Sequence, residues 1–146
     1  MTAVDTNILV YSHREDSMFF HKAYSVVKEL AESGKDWAIP WPCIYEFLAI
    51  VTHPRIYNPP TPLTDAVIQV DCWIECPTLY LIGESGVDHW KNFSKLLEST
   101  HIRGAQVHDA RIVSICLAHK VDSLWTADRD FSRFPQLNIE NPLLKK

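Results

Sequence analysis

The chain has 146 residues, of which 47% are hydrophobic and 22% charged, and its formal net charge is −4. This length predicts a single domain over residues 1–146 that can bury a core. No apolar stretch approaches the ~20 residues that a membrane span needs, and the start of the chain lacks the features of a signal peptide, so we expect a cytoplasmic protein with no membrane partner. The acidic balance neither supports nor excludes a nucleic-acid substrate, because carboxylates that bind metal ions would offset it.

Strand and helix patterns alternate along the whole chain. The predicted strands are 2–5, 37–40, 79–82, 123–126 and, as a possible fifth, 137–139. The predicted helices are a turn or short helix at 7–11 and longer helices at 18–32, 42–52, 64–76, 85–98 and 106–119, with Thr64 and Ser85 as N-caps. Such alternation predicts an α/β fold with a parallel sheet covered on both faces.

Four cysteines lie in apolar segments of the chain. Cys43, Cys72, Cys76 and Cys116 are scattered, which predicts buried thiols rather than a disulfide framework. Cys72 and Cys76 are four residues apart on a predicted helix, but no second ligand pair at zinc-site spacing stands nearby.

Four acidic residues are placed where one site could collect them. Asp5 and Asp128 each follow a predicted strand, while Glu46 and Asp109 stand near the starts of predicted helices. Ligands of parallel α/β sheets bind beyond the carboxyl ends of the strands. We therefore expect these carboxylates, which come from distant parts of the chain, to converge at one edge of the sheet.

A group of carboxylates favours a hard divalent cation. Magnesium, or alternatively manganese, prefers oxygen ligands, and one or two such ions could activate water and polarise a phosphate. Asp5 and Asp109 are the first candidates for direct ligands, with Asp128 and Glu46 binding directly or through water. Asp130, two residues beyond Asp128, is the alternative fourth acid.

Polar neighbours of these acids are candidates for substrate binding. Asn7 could bind a site carboxylate or a phosphate, and Thr126 could offer its hydroxyl to a carboxylate or to a metal-bound water. Arg111 and Arg129 are candidate phosphate contacts. Ordinary structural roles compete with these assignments, because an aspartate can favour a helix N-terminus or a turn, and an arginine can simply pair with a nearby acid.

Four segments of the chain carry a recognisable pattern together. They are Val4-Asp5-Thr6-Asn7-Ile8-Leu9-Val10-Tyr11, then Tyr45-Glu46-Phe47-Leu48 with Val51-Thr52-His53-Pro54-Arg55, then His108-Asp109-Ala110-Arg111-Ile112, and finally Thr126-Ala127-Asp128-Arg129-Asp130-Phe131-Ser132-Arg133-Phe134-Pro135. In this order they resemble the PIN-domain ribonucleases, and specifically the VapC toxins of toxin–antitoxin pairs.

The resemblance implies a three-layer α/β/α fold with a central parallel sheet of four to five strands. It also implies endonucleolytic cleavage of RNA, often tRNA or rRNA, with magnesium or manganese. The partners it implies are a cognate antitoxin and, commonly, a second copy of the chain. The acidic set carries over as Asp5, Glu46, Asp109 and Asp128, with Asp130 as the alternative to the last of these.

Other functions remain open at this stage. A HAD-type phosphatase would need a second aspartate where Asn7 stands, and a phospho-receiver domain would need an acidic pair and a late lysine that we do not find. A catalytically inactive PIN-like module that binds RNA or a partner, and a nuclease acting on DNA, are the remaining alternatives.

Overall fold

The computed structural model describes residues 1–84 and 86–144. Its centre is a five-stranded sheet in which every neighbouring pair is parallel, in the order β3-β2-β1-β4-β5. The strands are β1 (Thr2–Val4), β2 (Trp37–Pro40), β3 (Leu79–Ile82), β4 (Ser123–Trp125) and β5 (Asn138–Glu140). The α/β prediction with a parallel sheet is confirmed, and so is the fifth strand.

Six α-helices of the described residues connect these strands. They are α1 (Thr6–His13), α2 (Phe20–Glu32), α3 (Trp41–Val51), α4 (Leu63–Ile74), α5 (Asp88–Glu98) and α6 (Gln106–Ala118). Helices α1 to α4 lie in the crossovers from β1 to β3 and pack on one another, whereas α5 and α6 lie in the crossover to β4 and pack as a pair. Right-handed crossovers that run in opposite directions from β1 place helices on both faces of the sheet, which gives three α/β/α layers.

The core forms where the helices cover the sheet. All four residues of β2 are buried, as expected for a strand with helices on both faces. Trp37, Phe47, Phe131 and Phe134 are among the largest fully buried side chains. The two phenylalanines at 131 and 134 anchor the segment after β4, which includes the 3₁₀ turn Arg129–Arg133.

The sheet has a topological switch point between β1 and β4. From β1 the chain proceeds through β2 to β3 on one side, and β4 and β5 add on the other side. Val4 pairs with Trp125, and the N–H of Asp5 donates to the carbonyl of Trp125 at 2.9 Å. Crevices for ligands open beyond the carboxyl ends of strands at such a point, and here Asp5 and Thr126 are the residues that follow the two strands.

Some local predictions were wrong. Thr64 is not an N-cap, because α4 begins at Leu63 and the Pro62 carbonyl already accepts from the N–H groups of Asp65 and Ala66. Cys76 lies beyond the end of α4, and Cys72 is exposed rather than buried; all four cysteines are free thiols. The predicted cap Ser85 lies outside the described residues. None of the described helices is long and apolar enough to cross a membrane.

Candidate functional site

Asp5 is the buried centre of a hydrogen-bond network that joins the two ends of the chain. Asp5 is only 4% exposed, and its Oδ2 accepts from the Thr126 hydroxyl at 2.8 Å and from the Asn7 amide at 3.2 Å. The same Asn7 amide donates to Thr126 Oγ1 at 3.0 Å, and its Oδ1 accepts from the Ala127 N–H at 2.9 Å. Asn7 and Thr126 therefore fix the orientation of Asp5 and the path of the chain leaving β4.

Three other carboxylates meet beside this network. One oxygen from each of Asp109, Asp128 and Asp130 lies within 4.8 Å of the other two. Asp128 is held by two bonds: its N–H donates to Thr126 Oγ1 at 3.0 Å, and its Oδ1 accepts from the Asp130 N–H at 2.9 Å. Asp109 stands in the first turn of α6. The sequence offered Asp128 and Asp130 as alternatives for the fourth acid, and both of them lie in the cluster.

Glu46 reaches the same region from α3. Its Oε2 accepts from the Thr6 hydroxyl at 2.8 Å, and Thr6 follows Asp5 directly. The Cys43 thiol, one turn before Glu46, donates to Asp5 Oδ1 at 3.5 Å. Burial raises the pKa of this thiol well above its ordinary value, and the nearby Asp5 carboxylate raises it further. The sequence analysis missed Thr6 and Cys43, since a threonine at the start of a helix and an apolar cysteine carry no distinctive pattern.

The electrostatics show that these carboxylates form one group. The pKa of Asp5 is raised to about 6, mainly because burial desolvates the carboxylate. The charge of Glu46 contributes to this increase, and the hydrogen bond from the Thr126 hydroxyl opposes it in part. The pKa of Asp109 is also raised to about 6. Desolvation is the largest cause, and the negative charges of nearby acids are the others, in the order Asp128, Asp5, Asp130 and Glu46. The four acids chosen from the sequence therefore lie close enough to repel one another.

The two candidate arginines differ in their surroundings. Arg111 forms an ion pair with Glu84, the second residue after β3, rather than with the acids of the site. Arg129 is exposed beside Asp128 and has no ion-pair partner within the described residues. Its guanidinium is thus available to an anionic ligand.

An open cavity of about 370 Å³ adjoins the carboxylates on the β4–β5 side. Its lining includes Thr126, Asp128, Arg129, Ser132 and Asn141. A larger cavity of about 580 Å³ lies at the opposite edge of the sheet, where Met1, Thr2 and Asp36 surround the amino ends of the strands. Of these two cavities, the smaller one is relevant to the site, because Asp128 of the acidic cluster lines it.

The donor set fits a hard divalent cation. Carboxylate oxygens are the ligands that Mg²⁺ and Mn²⁺ prefer, and three of them lie within 4.8 Å of one another. Within the described part of the chain, none of the ion pairs involves Asp5, Glu46, Asp109, Asp128 or Asp130. No described side chain therefore forms an ion pair that neutralises their charge, as expected of carboxylates that bind a cation.

Fold and site together define a three-layer α/β/α domain with an acidic crevice, suited to a divalent cation, at the switch point of a parallel sheet. A PIN domain profile matches residues 2–137. The chain therefore belongs to the PIN-domain family.

Known proteins similar to this chain agree with that assignment. It is 30% identical over 143 residues to the VapC ribonuclease Mb2897 of Mycobacterium bovis, with 98% of this chain and 96% of the relative covered. Two solved structures share its fold. VapBC2 from Rickettsia felis, bound to a DNA fragment from its promoter, superposes with a TM-score of 0.66 and 22% identity over 96% of this chain and 97% of that one. VapC20 of Mycobacterium tuberculosis, a toxin that cleaves the sarcin–ricin loop, gives a TM-score of 0.66 and 13% identity over 90% and 93%.

Proposed function

We propose that this protein is a divalent-metal-dependent endoribonuclease that acts as the toxin of a toxin–antitoxin pair. The observation that carries the proposal is the cluster of Asp109, Asp128 and Asp130 beside buried Asp5 at the switch point of the sheet. The similarity of the whole chain to a VapC ribonuclease supports RNA as the substrate class.

The proposed metal-binding residues are Asp5, Glu46, Asp109 and Asp128, with Asp130 as a fifth carboxylate in the same cluster. Mg²⁺ is the proposed ion and Mn²⁺ the alternative, because both are hard cations that oxygen ligands suit. A bound ion of this kind supplies charge neutralisation at the scissile phosphate and lowers the pKa of water. The chain itself supplies rigid positions for the carboxylates.

We assign positioning roles to the neutral residues of the site. Thr126 donates to Asp5 and accepts from the N–H of Asp128, so its hydroxyl couples the carboxylates that follow β1 and β4. Asn7 holds Asp5 and the Ala127 backbone at once. Carboxylates held in fixed positions need no reorganisation during the reaction, which is how a preorganised site stabilises a transition state.

Arg129 and Arg111 are the proposed phosphate contacts. Arg129 stands at the cavity beside Asp128, where a phosphate next to the scissile one could accept from its guanidinium. Arg111 is held by Glu84. An arginine that is already oriented by a carboxylate loses less side-chain freedom when it contacts a second anion.

The partners follow from the same proposal. We propose a cognate antitoxin, in keeping with the fold shared with VapBC2, and an RNA substrate such as tRNA or rRNA. We further propose that the chain works as one PIN domain, as a homodimer, in the cytoplasm where these RNAs reside.

Cleavage of RNA and DNA of matched sequence by the purified chain tests the proposal. We expect RNA to be cut internally when Mg²⁺ or Mn²⁺ is present, and EDTA to stop the reaction. DNA should stay intact under the same conditions. Cleavage of DNA alone, or cutting that EDTA leaves unchanged, would contradict the assignment.

A further inference from the structure

Two exposed aromatic side chains stack on each other at the same edge of the sheet as the carboxylates. Trp41 and Tyr45 are four residues apart on α3, and their ring centroids lie 6.0 Å apart with an interplanar angle of 23°. Trp41 is 36% exposed and Tyr45 is 61% exposed. Large aromatic surface that a folded chain leaves in water is a feature of binding sites.

The position of this pair connects it to the acidic site. Trp41 follows Pro40, the last residue of β2, and therefore stands at the carboxyl edge of the sheet. Tyr45 directly precedes Glu46, whose carboxylate accepts from Thr6 beside Asp5. The pair therefore lies on the same helix as Glu46, at the sheet edge where the carboxylates stand.

The strand next to β2 also contributes to this surface. Gly83 follows β3, and a Cβ placed there would lie 3.4 Å from Trp41 Cδ1, so the indole packs against the backbone at this point. The next residue is Glu84, which holds Arg111. An aromatic surface with a nearby arginine, beside a site for phosphate chemistry, is the combination that binds unpaired nucleotides.

We propose that Trp41 and Tyr45 form a stacking platform for an unpaired nucleobase of the RNA substrate, one or more nucleotides away from the bond that is cut. The proposal rests on the ribonuclease function proposed above and extends it to substrate selection. RNA bases in loops can be splayed out onto aromatic side chains, whereas bases within a duplex cannot. The platform therefore selects single-stranded or loop segments of RNA.

Binding to two oligonucleotides tests the platform. The probes are a fluorescently labelled adenosine RNA hexamer and an abasic ribose-phosphate hexamer with the same number of charges. Fluorescence anisotropy is measured in Mg²⁺ with Asp5→Asn protein, so that the RNA stays intact. Adding Tyr45→Ala should weaken binding of the adenosine hexamer roughly tenfold, as expected for the loss of one base–aromatic stack. Binding of the abasic chain should stay unchanged.

Matched variants separate stacking from other effects. Tyr45→Phe keeps the ring and should retain binding, while Tyr45→Leu keeps apolar surface without the aromatic face and should behave like Tyr45→Ala. Tyr24→Ala removes a tyrosine of similar exposure, 51%, from α2 and should have no effect. In the cleaving protein, Tyr45→Ala should raise KM and leave kcat nearly unchanged.

The possible failures are distinguishable. If the unaltered protein cuts no RNA with Mg²⁺ or Mn²⁺, the ribonuclease proposal is contradicted together with the platform. If it cuts RNA but Tyr45→Ala, added to Asp5→Asn, changes the binding of neither hexamer or weakens both equally, the platform alone is wrong. Unchanged RNA binding with a shift from dimer to monomer in sedimentation would also overturn it, because the pair would then be a contact between copies of this chain.

Discussion

Replacing Asp5 with asparagine should stabilise the metal-free protein at neutral pH while abolishing cleavage. The carboxylate is buried, is desolvated and is repelled by Glu46, which raises its pKa to about 6. Asparagine has nearly the same shape, and its Oδ1 can still accept from Thr126 and Asn7. The variant therefore removes an unfavourable buried charge and preserves most of the network.

The structure gives the size and the pH dependence of this effect. Between pH 3.8 and about 6 the folded chain retains a proton on Asp5 that the unfolded chain has released. The free energy of unfolding therefore falls as the pH rises through this window, and by pH 7.5 the cost reaches about 3 kcal/mol. The hydrogen bond from the Cys43 thiol to Asp5 is lost in the variant, because an amide nitrogen cannot accept it. This loss costs about 1 kcal/mol. We expect a net gain of about 2 kcal/mol at pH 7.5 and almost none at pH 4.5, where the electrostatic cost is only about 1 kcal/mol.

Urea unfolding in EDTA, at pH 7.5 and at pH 4.5, measures the difference. Asp71→Asn is the matched control, because Asp71 is an exposed aspartate on α4 far along the chain from the site. It should change the free energy of unfolding by less than about 0.5 kcal/mol at either pH. Cleavage of RNA should be lost in Asp5→Asn and kept in the control.

Two results would show that the buried charge of Asp5 does not destabilise the fold. A loss of stability in Asp5→Asn at pH 7.5 would mean that the carboxylate is favourably paired rather than strained by burial. An equal gain at both pH values would mean that the gain does not arise from the ionisation of Asp5.

Three further predictions concern the same carboxylates. Asp128→Asn and Asp130→Asn should each weaken Mn²⁺ binding by about tenfold or more, measured by calorimetry; unchanged affinity in Asp130→Asn would leave Asp128 as the only ligand of the two. The affinity for Mn²⁺ should fall when the pH is lowered from 7 to 5, because Asp5 and Asp109 each have a pKa of about 6 and must lose a proton to bind the ion. The decrease should be about tenfold for each of the two that is a ligand. An affinity that does not change with pH would exclude both as ligands. Thr126→Val should lower the free energy of unfolding by about 1–3 kcal/mol, because the N–H of Asp128 loses its acceptor. Thr126→Ser keeps the hydroxyl and should retain both the stability and the cleavage activity of the unaltered protein.

Most of the fold could be predicted because its signals are local. The strand at Leu79–Ile82 and the helix at Gln106–Ala118 have the bounds that hydrophobic pattern indicates, to within a residue. The error at Thr64 has a physical cause: its hydroxyl suits an N-cap, but the carbonyl of Pro62 had already begun the helix. An N-cap side chain contributes about 1 kcal/mol to helix stability, so the geometry of the neighbouring chain can override its preference.

The site could be predicted only in part, because its contacts join distant residues. Strand order explains why acids that follow β1 and β4 converge, and this inference needs only the carboxyl ends of parallel strands. The bond from Asn7 to Thr126 spans 119 residues, and no local pattern announces it. The same holds for Thr6 with Glu46 and for the pairing of Arg111 with Glu84, which depend on how α3, α6 and the segment after β3 pack in space.

Cleavage of total RNA by the purified chain tests whether the carboxylate cluster is a metal-dependent site for RNA cleavage. Reactions would contain Mg²⁺, Mn²⁺ or EDTA, with Asp109→Asn as the inactive variant and Asp71→Asn as its control. We expect discrete fragments with either metal, none in EDTA, none with Asp109→Asn and an unchanged pattern with Asp71→Asn. The same fragments from Asp109→Asn as from the unaltered protein would contradict this role of the cluster.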